Sequence, residues 1–148
     1  MLTDPTRCRV MLVTLAEETP VNEVVETAFA LEDKVGVDLG PVVVNSLYPL
    51  LSGLDVDPAT AAAEAGVALG DREAMALAGA AAYRAQRQDL QQEQVARLAA
   101  ALPLPQIHLP TQFGVDLGPS DIDHLARALA AGIERLSAAR GHRTGVAR

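Results

Sequence analysis

The sequence predicts an α/β fold built on a parallel sheet, and three features point there. Two short, nearly continuous apolar segments, 10–15 and 41–45, have the composition of strands covered on both faces. Between and after them, apolar residues recur at helical spacing. Strand, helix and strand in that order make a βαβ unit, for which a right-handed crossover is expected.

Val10-Met11-Leu12-Val13-Thr14-Leu15 is the first predicted strand. Thr19 then reads as an N-cap with Pro20 at the first helical position. Val21, Val24, Val25, Ala28, Leu31 and Val35 supply the apolar stripe of that helix, and Gly36 its stop. Pro41 to Asn45 is β-branched and forms the second strand. Ser46 to Asp57, with Pro49 and Gly53, reads as a loop. Asp57-Pro58 starts a short helix that Gly66 ends, and the proline-free stretch Asp71 to Leu102 fits one long helix, with Glu93 and Arg97 spaced for an ion pair. Pro103 and Pro105 break it before a third strand, Gln106 to Leu109. Thr111 to Pro119 is a loop, and Ser120 is expected to cap a final helix with the stripe Ile122, Leu125, Ala126, Leu129, Ile133 and Leu136. Residues 139–148 alternate Gly, Arg and small residues and are expected to be a disordered tail. Three strands each followed by helix make the pattern of the second half of a doubly wound domain.

Composition excludes several functions. The 148 residues carry a formal net charge of -7, which argues against a nucleic-acid partner. Aromatic residues are 3% and Trp is absent, so stacking platforms are not expected. The single cysteine, Cys8, permits no intrachain disulfide and no multi-cysteine zinc site. His108, His124 and His142 share no metal-ligand spacing. No apolar run approaches the ~20 residues of a membrane helix, and Met1 to Arg9 has no signal-peptide core, so the expected location is cytoplasmic. The sole lysine, Lys34, sits in Asp33-Lys34-Val35-Gly36, without the Gly before it or the Ser or Thr after it that a phosphate-binding P-loop needs.

Candidate functional residues lie where the predicted strands end, because open parallel sheets bind ligands at their carboxyl edges. Glu17 and Glu18 follow the first strand and read either as pocket-edge carboxylates or as acidic residues favouring the start of the next helix. Asn45 ends the second strand. Its carboxamide has the donor and acceptor needed to read the edge of adenine, and Asn-Ser is equally good turn chemistry. Leu109, Pro110, Thr111, Gln112 and Phe113 begin the loop after the third strand, which could cover a base with Phe113 or backbone groups.

Taken together, these segments resemble the ArsA-type anion-transporting ATPases and the related ATPases that target tail-anchored membrane proteins. Val13-Thr14-Leu15-Ala16-Glu17-Glu18-Thr19-Pro20-Val21-Asn22-Glu23 resembles their strand, loop and helix after switch II. Val42-Val43-Val44-Asn45-Ser46-Leu47 is similar to the family's Val-Val-Asn-Gln strand, and Tyr83 to Leu102 to its long helix rich in Arg and Gln. His108-Leu109-Pro110 through Gly118 is similar to its Leu-Pro loop. The Ala-rich, Arg-over-Lys composition resembles the actinobacterial branch. Three departures stand out: Ala16 for a proline, Ser46 for the common Gln, and Val115-Asp116-Leu117-Gly118 for Glu-Val-Arg-Gly.

The resemblance covers about residues 10–133 and only the C-terminal part of that ATPase domain. It implies residues 1–138 as a partial ArsA-like domain, the C-terminal half of a P-loop-NTPase-type sheet. It further implies adenine of ATP or ADP held by Asn45 and the loop after Leu109, with Glu17 beside it. Magnesium and the phosphates would belong to a missing P-loop half or a homologous subunit, giving a homo- or hetero-oligomer without ATPase activity in this chain alone. With one cysteine, the arsenite and zinc sites of the family are not expected. The alternatives are a non-catalytic α/β interaction module and, more remotely, a small enzyme using Glu17 or Glu18 as general acid or base.

Overall fold

The computed structural model describes residues 4, 7–114 and 116–145, with side chains up to residue 139. Its elements run β1 (Val13–Leu15), α1 (Glu18–Ala30), β2 (Val42–Leu47), α2 (Pro58–Glu64), α3 (Asp71–Ala101), β3 (Gln106–Pro110) and α4 (Pro119–Gly145). The three strands form one parallel sheet in the order β1-β2-β3. The fold is α/β, a three-stranded parallel sheet flanked by helices, compatible with a βαβ arrangement of the Rossmann or P-loop kind.

Side-chain alternation along β2 divides the core. Val42 and Val44 point to one face, where they join Val21, Val24 and Ala28 of α1 and Leu98 of α3. Val43 and its register partner Ile107 point to the other face. There Gly132 of α4 sits directly against Ile107: a Cβ at position 132 would lie 2.5 Å from Ile107 Cγ2.

Coverage of this second face is incomplete, and the expectation that the first strand is covered on both sides is corrected. Thr14 is buried under α1, but Val13 on the opposite side is 63% exposed. The cause is the placement of α4, which docks on β3 and leaves β1 bare. Regular pairing also narrows to Val13–Leu15, with a separate parallel bridge from Val10 to Leu39.

Several boundaries differ for local reasons. α1 starts at Glu18, not after Thr19: Glu17 is the extended cap residue, and Pro20 fits the first turn because N–H groups there have no helical partner. After Ala30 the helix widens into a π-helical turn, Leu31–Val35, before Gly36 closes it at φ 68°. β2 continues through Ser46 and Leu47, both expected in the loop. Asp57 caps α2 as expected, accepting 2.9 Å hydrogen bonds from the Thr60 N–H and hydroxyl. α4 begins at Pro119, so Ser120 is not its cap; instead the Gly118 N–H donates to Asp121 Oδ2 at 2.8 Å. Ile122 and Ile133 of the expected α4 stripe, and Val35 of the α1 stripe, are exposed. α4 runs on to Gly145, so 139–145, expected as disordered tail, are helical; 146–148 lie outside the described residues. No helix among the described residues is long and apolar enough to cross a membrane.

Candidate functional site at the carboxyl edge of the sheet

All three strands point their carboxyl ends the same way, so the segments after them gather at one edge. β2 leaves the sheet through a register shift between Val44 and Leu47, with Ser46 at φ 55°. That conformation is unfavourable for a residue with a Cβ and must be held by its surroundings. The hold comes from α3. Gln91 accepts from the Tyr48 N–H at 2.8 Å and donates to the Ser46 carbonyl at 3.0 Å. One turn away Gln88 accepts from the Leu51 N–H at 2.9 Å and donates to the Leu51 carbonyl at 3.3 Å. A carboxamide carries one acceptor and a donor side by side, so each glutamine replaces the peptide partner that the segment lost on leaving the sheet.

The segment after β3 is tied to the same place. The Thr111 N–H donates to the Leu47 carbonyl at 2.8 Å. Phe113 meets the Tyr48 ring edge-on, with centroids 5.3 Å apart. Arg84 lies over both rings, 4.3 Å from the Tyr48 centroid and 5.4 Å from that of Phe113, and donates to the Pro49 carbonyl. Arg87 lies 5.8 Å from the Tyr48 ring and pairs with Glu17 at 3.3 Å, bringing in the exit of β1. Two arginines on α3 thus join the exits of all three strands. Arg97 does the same for α1, bonding the Glu18 carbonyl and Asn22 rather than pairing with Glu93.

Two depressions border this edge. A groove of about 540 Å³ runs between α3, residues 47–50 and His108–Pro110, and Leu109 and Pro110 line it. A second, of about 360 Å³, follows β1 and α1, and Asn45 lines that one. The candidate residues therefore share an edge but not a cavity. Gln112 bonds the Pro110 carbonyl and His124, while the Thr111 hydroxyl is buried without a protein partner. Glu17 makes no side-chain cap bond at α1; its partner is Arg87. Partial burial, and then the charge of Arg135, hold His108 below the usual histidine pKa, so its imidazole is neutral at pH 7. Among the described residues no three His, Cys, Asp or Glu side chains are grouped to hold a metal.

Gln88, Gln91, Arg84, Arg87 and Tyr48 are the site-forming residues that sequence reasoning missed. Those on α3 form a polar stripe at 84, 87, 88 and 91, which in sequence is indistinguishable from a solvated helix face. The arrangement suits recognition: an apolar groove bounded by amides, guanidinium groups over aromatic rings, and backbone groups of two joined loops. No family model and no curated protein matches the chain.

Proposed function

We propose that this chain is the base-recognising portion of an ArsA-like ATPase. It holds the adenine of ATP or ADP at the carboxyl edge, while another segment or a homologous subunit carries the P-loop and the magnesium ligands. The observation that supports this most is the joining of the segments after β2 and β3 by the Thr111–Leu47 bond and the Tyr48–Phe113 contact. In the resemblance, those two segments are the ones that contact the base. Asn45 would present its amide to the adenine edge, Leu109 to Phe113 would cover the ring, and Glu17 would border the site through Arg87. Phosphoryl transfer would draw on the other segment, since this chain has no P-loop lysine.

The test is nucleotide binding by the chain mixed with a P-loop segment of that family, followed with a fluorescent ADP. Asn45→Ala should weaken binding by about 1–3 kcal/mol, the cost of leaving a polar partner unpaired. The chain alone should release no phosphate from Mg-ATP. Unchanged affinity in Asn45→Ala, or equal binding of guanine nucleotides, refutes the assignment. A second reading, a non-catalytic interaction module, is favoured by the bare face and edge of β1.

A further inference from the structure

We infer that two copies of this chain join through β1, edge to edge and antiparallel, to make a continuous six-stranded sheet. The inference goes beyond the nucleotide reading and does not depend on it.

Backbone geometry says what kind of partner β1 takes. The Leu12 carbonyl accepts from the Val43 N–H, and Val10 bonds Asp38 and Gly40 through its own N–H and carbonyl. In a strand the N–H and carbonyl of one residue point the same way and alternate along the chain, so Met11, Val13 and Leu15 direct theirs away from β2. Among the described residues nothing pairs with the Val13 groups, and the Leu15 carbonyl receives only the Thr14 hydroxyl. A second strand presents donors and acceptors at that spacing. The edge also lacks the devices that keep edges solitary: Val10 to Leu15 has no charge, no proline and no bulge.

Charge and apolar pattern choose the occupant. Arg7 and Arg9 precede the strand and Glu17 and Glu18 follow it, so the segment is basic at one end and acidic at the other. Antiparallel pairing of two copies sets those ends against each other. With Val13 on the two-fold axis, Val13 faces its own equivalent, Met11 faces the partner's Leu15, and Arg9 faces the partner's Glu17. Sliding by one pair in either direction sets Arg9 opposite Leu15, or Met11 opposite Glu17. The centred register alone matches apolar with apolar and Arg with Glu. Both ends are available for it: the contact of Arg9 to Asp38 is a 3.9 Å surface pair, and Glu17, which meets Arg87 through Oε1, is half-exposed and can accept a second guanidinium on Oε2.

The side chains agree. Met11, Val13 and Leu15 share the face that α4 leaves bare, and their exposures are 48%, 63% and 37%. Two copies side by side bury these residues against one another by cross-strand contact.

Sedimentation equilibrium of the full chain tests this. The expected mass is twice the chain's 15.5 kDa, and Val13→Lys should return a folded monomer by circular dichroism. With Cys8 replaced by Ser, Val13→Cys should oxidise to a covalent dimer, because residue 13 faces itself. Met11→Cys in the same background should not, because it faces residue 15, whereas Met11→Cys with Leu15→Cys should. A wild-type monomer, a Val13→Lys dimer, or Met11→Cys crosslinking as well as Val13→Cys overturns the proposal. So does binding of β1 only to a separate P-loop segment.

Discussion

Replacing Gly132 with Ala tests the placement of α4, on which the bare face of β1 depends. The added methyl group would lie 2.5 Å from Ile107 Cγ2 and 3.4 Å from its Cβ and Cγ1. Carbon atoms prefer about 3.5–4.0 Å, so the first contact is a full clash. Ile107 is buried and β-branched, and it cannot swing aside without leaving its rotamer. Overpacking of this kind costs about 1–3 kcal/mol, and the gain in helix propensity from Gly to Ala returns about 1 kcal/mol. Gly132→Ala should therefore lose about 1 kcal/mol. Gly79, exposed in the middle of α3, supplies the control, since a Cβ there meets nothing within 4 Å. Gly79→Ala keeps only the propensity gain and should stabilise by up to about 1 kcal/mol. The difference between the two variants cancels the propensity and unfolded-chain contributions and should equal the clash, about 1–3 kcal/mol. Urea denaturation followed by circular dichroism measures both. Equal shifts in the same direction would show that α4 does not rest on Ile107 through Gly132.

Further outcomes follow from the α3 clamp and from His108. Gln91→Leu strips the Tyr48 N–H and the Ser46 carbonyl of their partners and should cost about 2 kcal/mol; protease cutting within residues 46–51 should rise with it, and an unchanged cleavage pattern counts against the clamp. Because burial, and then Arg135, hold the folded-state pKa of His108 below its ordinary 6.5, the unfolded chain binds the extra proton first, and the stability linked to this group is present above that ordinary value. It should fall as the pH drops from there through the lowered folded value, and His108→Gln should flatten that part of a melting-temperature profile.

The elements were legible where burial is decided locally. Val42 to Val44 are apolar because both faces of β2 are covered, and that shows in any three consecutive letters. Asp57-Pro58 and Gly36 mark a helix start and stop through their own backbone chemistry. The exposure of Val13 is not legible in the sequence, because an apolar run does not say which of its faces has a neighbour. That depends on where α4 lands, more than a hundred residues later, and the deciding letter is a glycine that makes no hydrophobic signal of its own.

The site divides in the same way. That Asn45 and the Leu109–Phe113 segment lie at the carboxyl ends of strands could be read from the sequence, because each ends or follows a run with strand composition. Gln88 and Gln91 could not, because an inward polar stripe on a helix that is polar outside looks like a solvated surface. Their partners lie 37 to 45 residues away, and only the fold brings them together. Yet these glutamines determine the site's shape. Ser46 holds an unfavourable backbone angle next to Asn45, and the bond from Gln91 to its carbonyl is what offsets that cost. An apolar side chain at 91 would fill the same space on the helix and leave Asn45 in place in the sequence, but nothing would then fix the turn that follows it. The shape of this edge therefore rests as much on the amides of α3 as on the residue that the strand pattern points to.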